Sequence, residues 1–99
     1  MYYHVISVQI KVGQLNAAIP HLKELVKHYQ DVYGFTSEII APMSGSSYEI
    51  QLVSRLESIA DLEKLKHIRS NDAAFTEWFK ASIELFEWSK VMERSFEVL

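Results

Sequence analysis

Two helical patterns lie end to end between Ser58 and Trp88, with a strand-like run on either side. This stretch constrains the fold more than any other. Ser58 stands where an N-cap is wanted, and Asp61 follows three residues on. Hydrogen bonding and first-turn charge therefore both favour a helix start. Ile59, Leu62, Leu65 and Ile68 form the apolar stripe of the first segment. Ser70-Asn71-Asp72 interrupts the pattern with three short polar side chains that compete for backbone hydrogen bonds. Ser70 or Asn71 re-caps the chain there, and the helix direction is expected to change. Ala74, Phe75, Trp78, Phe79, Ser82, Ile83 and Phe86 carry the second stripe.

The rest of the chain supplies the sheet and one more helix. Tyr3 to Val12 alternates, with Ile6, Val8 and Ile10 on one side and Val5, Ser7, Gln9 and Lys11 on the other, and Gly13-Gln14 ends the run. Leu15, Ala18, Ile19, Leu22, Val26, Tyr29 and Tyr33 then recur at helical spacing. Asn16 caps this helix, or it begins at Gly13 and bends at Pro20, where a backbone donor is lost. Gly34 suits a left-handed C-terminal position. Phe35 to Met43 reads as a weaker strand, with Pro42 at an edge or end. Ser44-Gly45-Ser46-Ser47 forms a turn, and Tyr48 to Leu56 alternates again, which makes a hairpin. Val91 to Leu99 is the last strand, with Met92, Phe96 and Val98 opposite Glu93, Ser95 and Glu97. The order is β-α-β-β-α-β with a broken second helix, an α+β, ferredoxin-like arrangement.

One sheet face is expected under the helices. The other carries Val5, Ser7, Gln9, Glu49, Gln51, Val53, Arg55, Glu93 and Ser95, a mixture that fits a solvated face as well as a wet interface. The 99 residues suit one domain, and 48% hydrophobic content suits a globular chain. A net charge of −3 leaves no basic footprint for nucleic acid. With no cysteine, disulfides and thiolate metal sites are impossible. The N-terminus lacks a signal-peptide pattern, and no apolar run reaches the roughly 20 residues of a membrane span. A cytoplasmic protein with no membrane or nucleic-acid partner is the expectation.

A strand ending in Val-Gly, a long helix, a glycine before the second strand, Tyr-Glu-Ile-Gln-Leu-Val-Ser-Arg-Leu-Glu-Ser-Ile-Ala-Asp-Leu-Glu and Ser-Asn-Asp-Ala-Ala-Phe-Thr-Glu-Trp succeed one another along nearly the whole chain. In this the chain resembles the dimeric α+β barrel superfamily, and most of all its NIPSNAP-like branch. The resemblance implies one domain over residues 1–99 and a homodimer packed sheet face to sheet face. Its motifs are structural and carry little about function. Some members of the superfamily are cofactor-independent monooxygenases on aromatic polyketides; others handle haem, and others are isomerases or decarboxylases.

No histidine stands in a metal-binding spacing, and no nucleotide loop or Ser-His-Asp order appears. His21 and His28 read as surface or half-buried helix residues, and His67 suits the C-terminal end of a helix. Phe75-Thr76-Glu77-Trp78 is similar to a stretch of haem-degrading relatives, but Leu85-Phe86-Glu87-Trp88 has no histidine where those relatives place the iron ligand. Glu49, Glu93 and Glu97, with Arg55 and Arg94, read as cross-strand ion pairs at the dimer face, or as a base if burial raises one acid. A ligand site under the helices would use His4, Tyr48, His67, Phe75 and Trp78; one at the barrel axis would use Tyr3 and Ser7. Binding of a small, largely apolar molecule without a cofactor is the expected role. The alternatives are a cofactor-independent monooxygenase on an aromatic substrate and a haem-handling protein, the latter disfavoured by the missing histidine.

Overall fold

The computed structural model describes residues 1–42 and 48–99. Strand β1 (Tyr2–Gln9) leads into helix α1 (Leu15–His28), which continues as a π-helical turn over Tyr29–Tyr33. Strands β2 (Thr36–Ile40) and β3 (Glu49–Leu56) follow, then helices α2 (Ile59–Asn71) and α3 (Ala73–Ser82), a 3-10 turn at Trp88–Lys90, and β4 (Met92–Glu97). The strands form one antiparallel sheet in the order β2-β3-β1-β4. This is the ferredoxin-like α+β fold expected from the alternation of periods. The expected turn Ser44-Gly45-Ser46-Ser47 lies outside the described residues.

Helix boundaries follow local chemistry, with four departures from expectation, the first being that Gln14, without a side-chain bond, stands at the N-cap of α1 and Asn16 lies inside the helix. Pro20 lies inside α1 without ending it, and the irregularity comes later, at the π turn. Gly34 closes that turn at φ 72°, the left-handed conformation anticipated for it. Ser58 caps α2 as expected: its hydroxyl accepts from the Asp61 backbone N–H at 3.2 Å, and the Asp61 carboxylate accepts from the Glu57 N–H. Ile59, at the start of that stripe, is exposed. The cap of α3 is Asp72, not Ser70 or Asn71; its Oδ1 accepts from the N–H groups of Ala74 and Phe75. Neither Ser70 nor Asn71 reaches forward: both side chains donate back to the His67 carbonyl.

The second stripe does not run to Phe86 as helix. After Ser82 the chain leaves α3 and pairs with the end of β1, with Lys11 N–H donating to the Leu85 carbonyl and Glu87 N–H to the Gln9 carbonyl. Phe86 is thereby fully buried on a β-bridge with Ile10.

Two buried clusters fill the space between sheet and helices. One holds Leu25, Tyr29, Phe35, Leu52, Leu56, Leu65, Ile68 and Phe75. The other holds Val8, Ile10, Ala18, Leu22, Ile50 and Phe86. Ile6 and Trp78 pack against both.

The register of β4 corrects the expected sheet faces. Met92, Arg94 and Phe96 stand opposite Ser7, Val5 and Tyr3, whereas Glu93, Ser95 and Glu97 stand opposite Ile6, His4 and Tyr2. Directly opposed residues share a face, so Glu93 and Ser95 lie on the helix side and Met92 and Phe96 on the open side. Across the open face run the rows Thr36–Arg55–Tyr3–Phe96, Glu38–Val53–Val5–Arg94 and Ile40–Gln51–Ser7–Met92. This face is more apolar than expected, and Ile40, Met92 and Phe96 are exposed on it.

Candidate functional site

A cavity of about 610 Å³ lies where the two clusters meet under the helices. The sheet contributes Ile6 and Val8 from β1 and Leu52 from β3; α1 contributes Leu22 and Leu25. Helix α3 contributes Phe75, Thr76, Trp78 and Phe79, and the chain after it Trp88, Val91 and Glu93. The exposed members of this lining, Thr76, Phe79 and Glu93, put the mouth between α3 and β4. Size and composition suit a small ligand: an apolar wall with few polar groups. Glu93 is the only charged side chain among the described residues of the lining.

The aromatic wall is fixed by specific bonds. The Trp78 indole N–H donates to the His21 carbonyl at 2.7 Å, and His21 Nε2 bonds the Trp78 carbonyl at 2.9 Å. A carbonyl only accepts, so Nε2 carries the proton. The Trp88 indole N–H donates to Ser82 Oγ at 3.1 Å, and Ser82, fully buried, donates to the Phe79 carbonyl at 2.6 Å. Phe79 and Trp88 lie ring to ring at 4.8 Å. Glu93 is approached by His4, whose Nε2 stands 3.8 Å from Glu93 Oε1. Thus β4 delivers the acid to the cavity and β1 places a buried imidazole beside it.

The N-terminus of α3, which carries Phe75 and Thr76 into the lining, is held by a second polar cluster. Asp72 Oδ2 accepts from the Tyr33 hydroxyl at 2.6 Å and from His28 Nε2 at 2.7 Å, while Oδ1 caps the helix. Burial alone would raise the Asp72 carboxyl. The hydrogen bonds from Tyr33, His28 and the Phe75 backbone, with the His28 charge, outweigh it and hold the group at about 2. The same bond to Asp72, with burial, pushes the Tyr33 hydroxyl up to about 12.

Of the residues singled out from sequence, Phe75 and Trp78 line the cavity side by side. His4 is buried one residue outside the lining, against Glu93. Tyr48 is not in the lining; it packs on the Phe86 cluster, and its carbonyl accepts from the Ile10 N–H. His67 is exposed on α2 and takes no part in the lining. On the open sheet face, where the barrel-axis site was expected, a depression of about 70 Å³ is lined by Tyr3, Thr36, Glu38, Val53 and Arg55, without Ser7. Thr76, Phe79 and Trp88 were not anticipated, and Glu93 was expected on the opposite sheet face, in an ion pair or as a base. The signal for Glu93 is its position in β4, which becomes informative only once the register of that strand is known.

For haem, the lining offers no imidazole: His21 is tied to Trp78, His28 to Asp72, His4 lies behind Glu93 and His67 is exposed. No group of three or more metal-ligating His, Asp or Glu side chains occurs among the described residues, and no helix there is long and apolar enough to cross a membrane.

No protein-family model and no curated protein matches the sequence. Solved structures do match. A protein from Agrobacterium tumefaciens superposes with a TM-score of 0.80 at 14% identity, over 100% of this chain and 94% of its own. A candidate antibiotic biosynthesis monooxygenase from Deinococcus radiodurans gives 0.77 at 9% identity, covering 100% and 93%. An uncharacterised NIPSNAP domain protein from Burkholderia xenovorans gives 0.77 at 8% identity, covering 100% and 95%. The chain shares their ferredoxin-like α+β fold.

Proposed function

We propose that this chain is a single dimeric α+β barrel domain that binds a small, largely apolar molecule in the cavity between α3 and β4. One observation carries the reading: a cavity of about 610 Å³ walled by Phe75, Trp78, Phe79 and Trp88, with one carboxylate at its mouth. Stacking and area burial against such a wall provide affinity, while the few polar groups fix orientation. Phe75 and Trp78 are the contact residues; His4 acts on the site through Glu93. The setting is cytoplasmic, with neither membrane nor nucleic acid as partner.

The partner is a second copy of this chain. Tyr3, Val5, Val53, Met92 and Phe96 share a sheet face that no element among the described residues covers. Apolar patches rimmed by charge, here Glu38, Arg55 and Arg94, mark association surfaces.

The chain's two tryptophans, Trp78 and Trp88, both line the cavity, so tryptophan emission reads its occupancy. Titration with a neutral two-ring aromatic should change that emission saturably at one ligand per chain. An emission that stays linear or unchanged sinks the binding reading.

A second reading, a cofactor-independent monooxygenase on an aromatic substrate, draws on the His4–Glu93 pair at the cavity and the likeness in fold to the Deinococcus radiodurans protein. Glu93, which lines the cavity with the His4 imidazole beside it, would take the proton from a bound phenol. Oxygen uptake with a polycyclic phenol, abolished in Glu93→Gln, is its test.

A further inference from the structure

We infer, resting on the cavity reading above, that Ser82 is a positioning residue of the site: it stands behind the aromatic wall and holds Trp88 in the orientation that receives the ligand. Ser82 is fully buried, and its hydroxyl works in both directions. The proton goes to the Phe79 carbonyl at 2.6 Å, an acceptor in the last turn of α3, where intrahelical partners run out. The oxygen accepts from the Trp88 indole N–H at 3.1 Å. A hydroxyl carries one proton and two lone pairs, so a single group can serve both. Phe79 and Trp88, the two residues so joined, are neighbours in the cavity wall, with ring centroids 4.8 Å apart and planes tilted by 43°.

The Ser82 backbone fixes a third contact. Its carbonyl accepts from the N–H groups of Leu85 and Phe86 at 2.9 and 3.1 Å, which closes the turn by which the chain leaves α3. Phe86 thereby lies edge-on to Trp88, with centroids 5.8 Å apart and planes at 86°. Trp88 is thus held at its N–H and packed against Phe79 and Phe86, and each of these constraints passes through Ser82. The indole needs them: it stands half-buried on a three-residue 3-10 turn. A ligand that stacks on a ring must find it in one orientation, and ordering a loose ring at the moment of binding lowers affinity. One hydrogen bond holds the indole edge, so its loss is worth about fivefold in affinity.

Calorimetric titration with 2-naphthalenemethanol tests this in wild type, Ser82→Ala, Trp88→Phe and the double variant. Ser82→Ala should weaken binding about fivefold. In the Trp88→Phe background, where position 88 has no N–H to hold, the same substitution should leave affinity unchanged. Melting temperature should fall in both backgrounds, because the Phe79 carbonyl loses its donor in each. A merely structural serine would show that loss of stability without the background dependence of affinity. Unchanged affinity in Ser82→Ala, or an equal loss in both backgrounds, therefore overturns the inference and leaves the cavity reading standing. Absence of saturable binding by wild type removes the cavity reading and this inference with it. If Ser82→Ala does not fold, hydrogen exchange in unliganded wild type decides. The Trp88 indole proton, identified by its absence from Trp88→Phe, should exchange slowly with solvent. Exchange at the rate of free indole would mean that the ring is not held, and would overturn the inference.

Discussion

His21 and Trp78 hold each other twice. Each ring bonds the other's backbone carbonyl, and the two rings stack 5° from parallel with centroids 4.6 Å apart. Helix α1 is thereby fastened to α3 at the wall of the cavity, so the residue that shapes the site also closes the fold. Trp78→Ala should cost about 3 kcal/mol, toward the low end for a core tryptophan because the side chain lines a cavity. Trp78→Phe keeps a ring but strands the His21 carbonyl, for about 1 kcal/mol. Urea denaturation of the two variants measures both, and a Trp78→Phe variant as stable as wild type would mean that the indole N–H contributes nothing.

The Asp72 cluster predicts an acid-sensitive fold. Its folded value of about 2 lies below the ordinary 3.8. A depressed carboxyl contributes stability that is fully present above pH 4 and lost as pH falls toward 2, by roughly 1–2 kcal/mol. Melting temperature against pH should show this loss in wild type. It should shrink in Tyr33→Phe, which removes the hydroxyl that holds Asp72 Oδ2. A parallel pH profile in the variant would contradict the assignment.

Asp72→Ala should cost about 2 kcal/mol or more, since it removes the cap of α3 together with two side-chain bonds. Asn71→Ala, by contrast, should change stability by less than about 0.5 kcal/mol, because Asn71 is exposed and caps nothing. Thermal unfolding of the pair distinguishes the two positions directly.

Val53→Asp sets a charge near the centre of the open sheet face, beside Val5 and Glu38. If that face joins two copies over roughly 1,200 Å² or more, wild type sediments as a dimer at micromolar concentration and the variant as a monomer. A monomeric wild type ends the dimer proposal.

Gly34→Ala tests the backbone alone. An added Cβ would meet nothing within 4 Å, but φ is +72°. The expected loss is about 1 kcal/mol from conformation, with Gly34→Asn milder.

Period decided most of the architecture. Val8, Ile10, Ile50, Leu52 and Leu56 are buried on the side their alternation assigned. Alternation sorts a strand into two faces without saying which faces the helices, and β4 shows the difficulty. All six of its residues are exposed, so burial pattern could not choose, and the apolar Met92 and Phe96 suggested the wrong side. Only pairing with β1 turns Glu93 inward. Phe86 continues the helical spacing of Phe75 and Trp78 by coincidence, while the backbone has already turned to pair with β1. Ser70, Asn71 and Asp72 are all competent caps; what selects Asp72 is His28 and Tyr33, remote in the chain, and a carboxylate can serve both while capping. Trp78 was visible as an aromatic of the right helix face, whereas its bond to His21, 57 residues away, leaves no local trace.

The π-helical turn at Tyr29–Tyr33 acts as a one-residue shim. An α-helix advances about 100° per residue, so the same segment wound as plain helix would carry Tyr33 about a quarter-turn away from its observed bearing. The hydroxyl would then miss Asp72, and the ring would leave its stack on Phe35 at 5.8 Å. Deleting one residue in this turn should therefore make the helix more regular and the protein less stable. Length at this point is set by the reach of a tyrosine to the cap of a helix four elements downstream, and tolerance to insertion or deletion should be lower here than the exposure of Gln30, Asp31 and Val32 suggests.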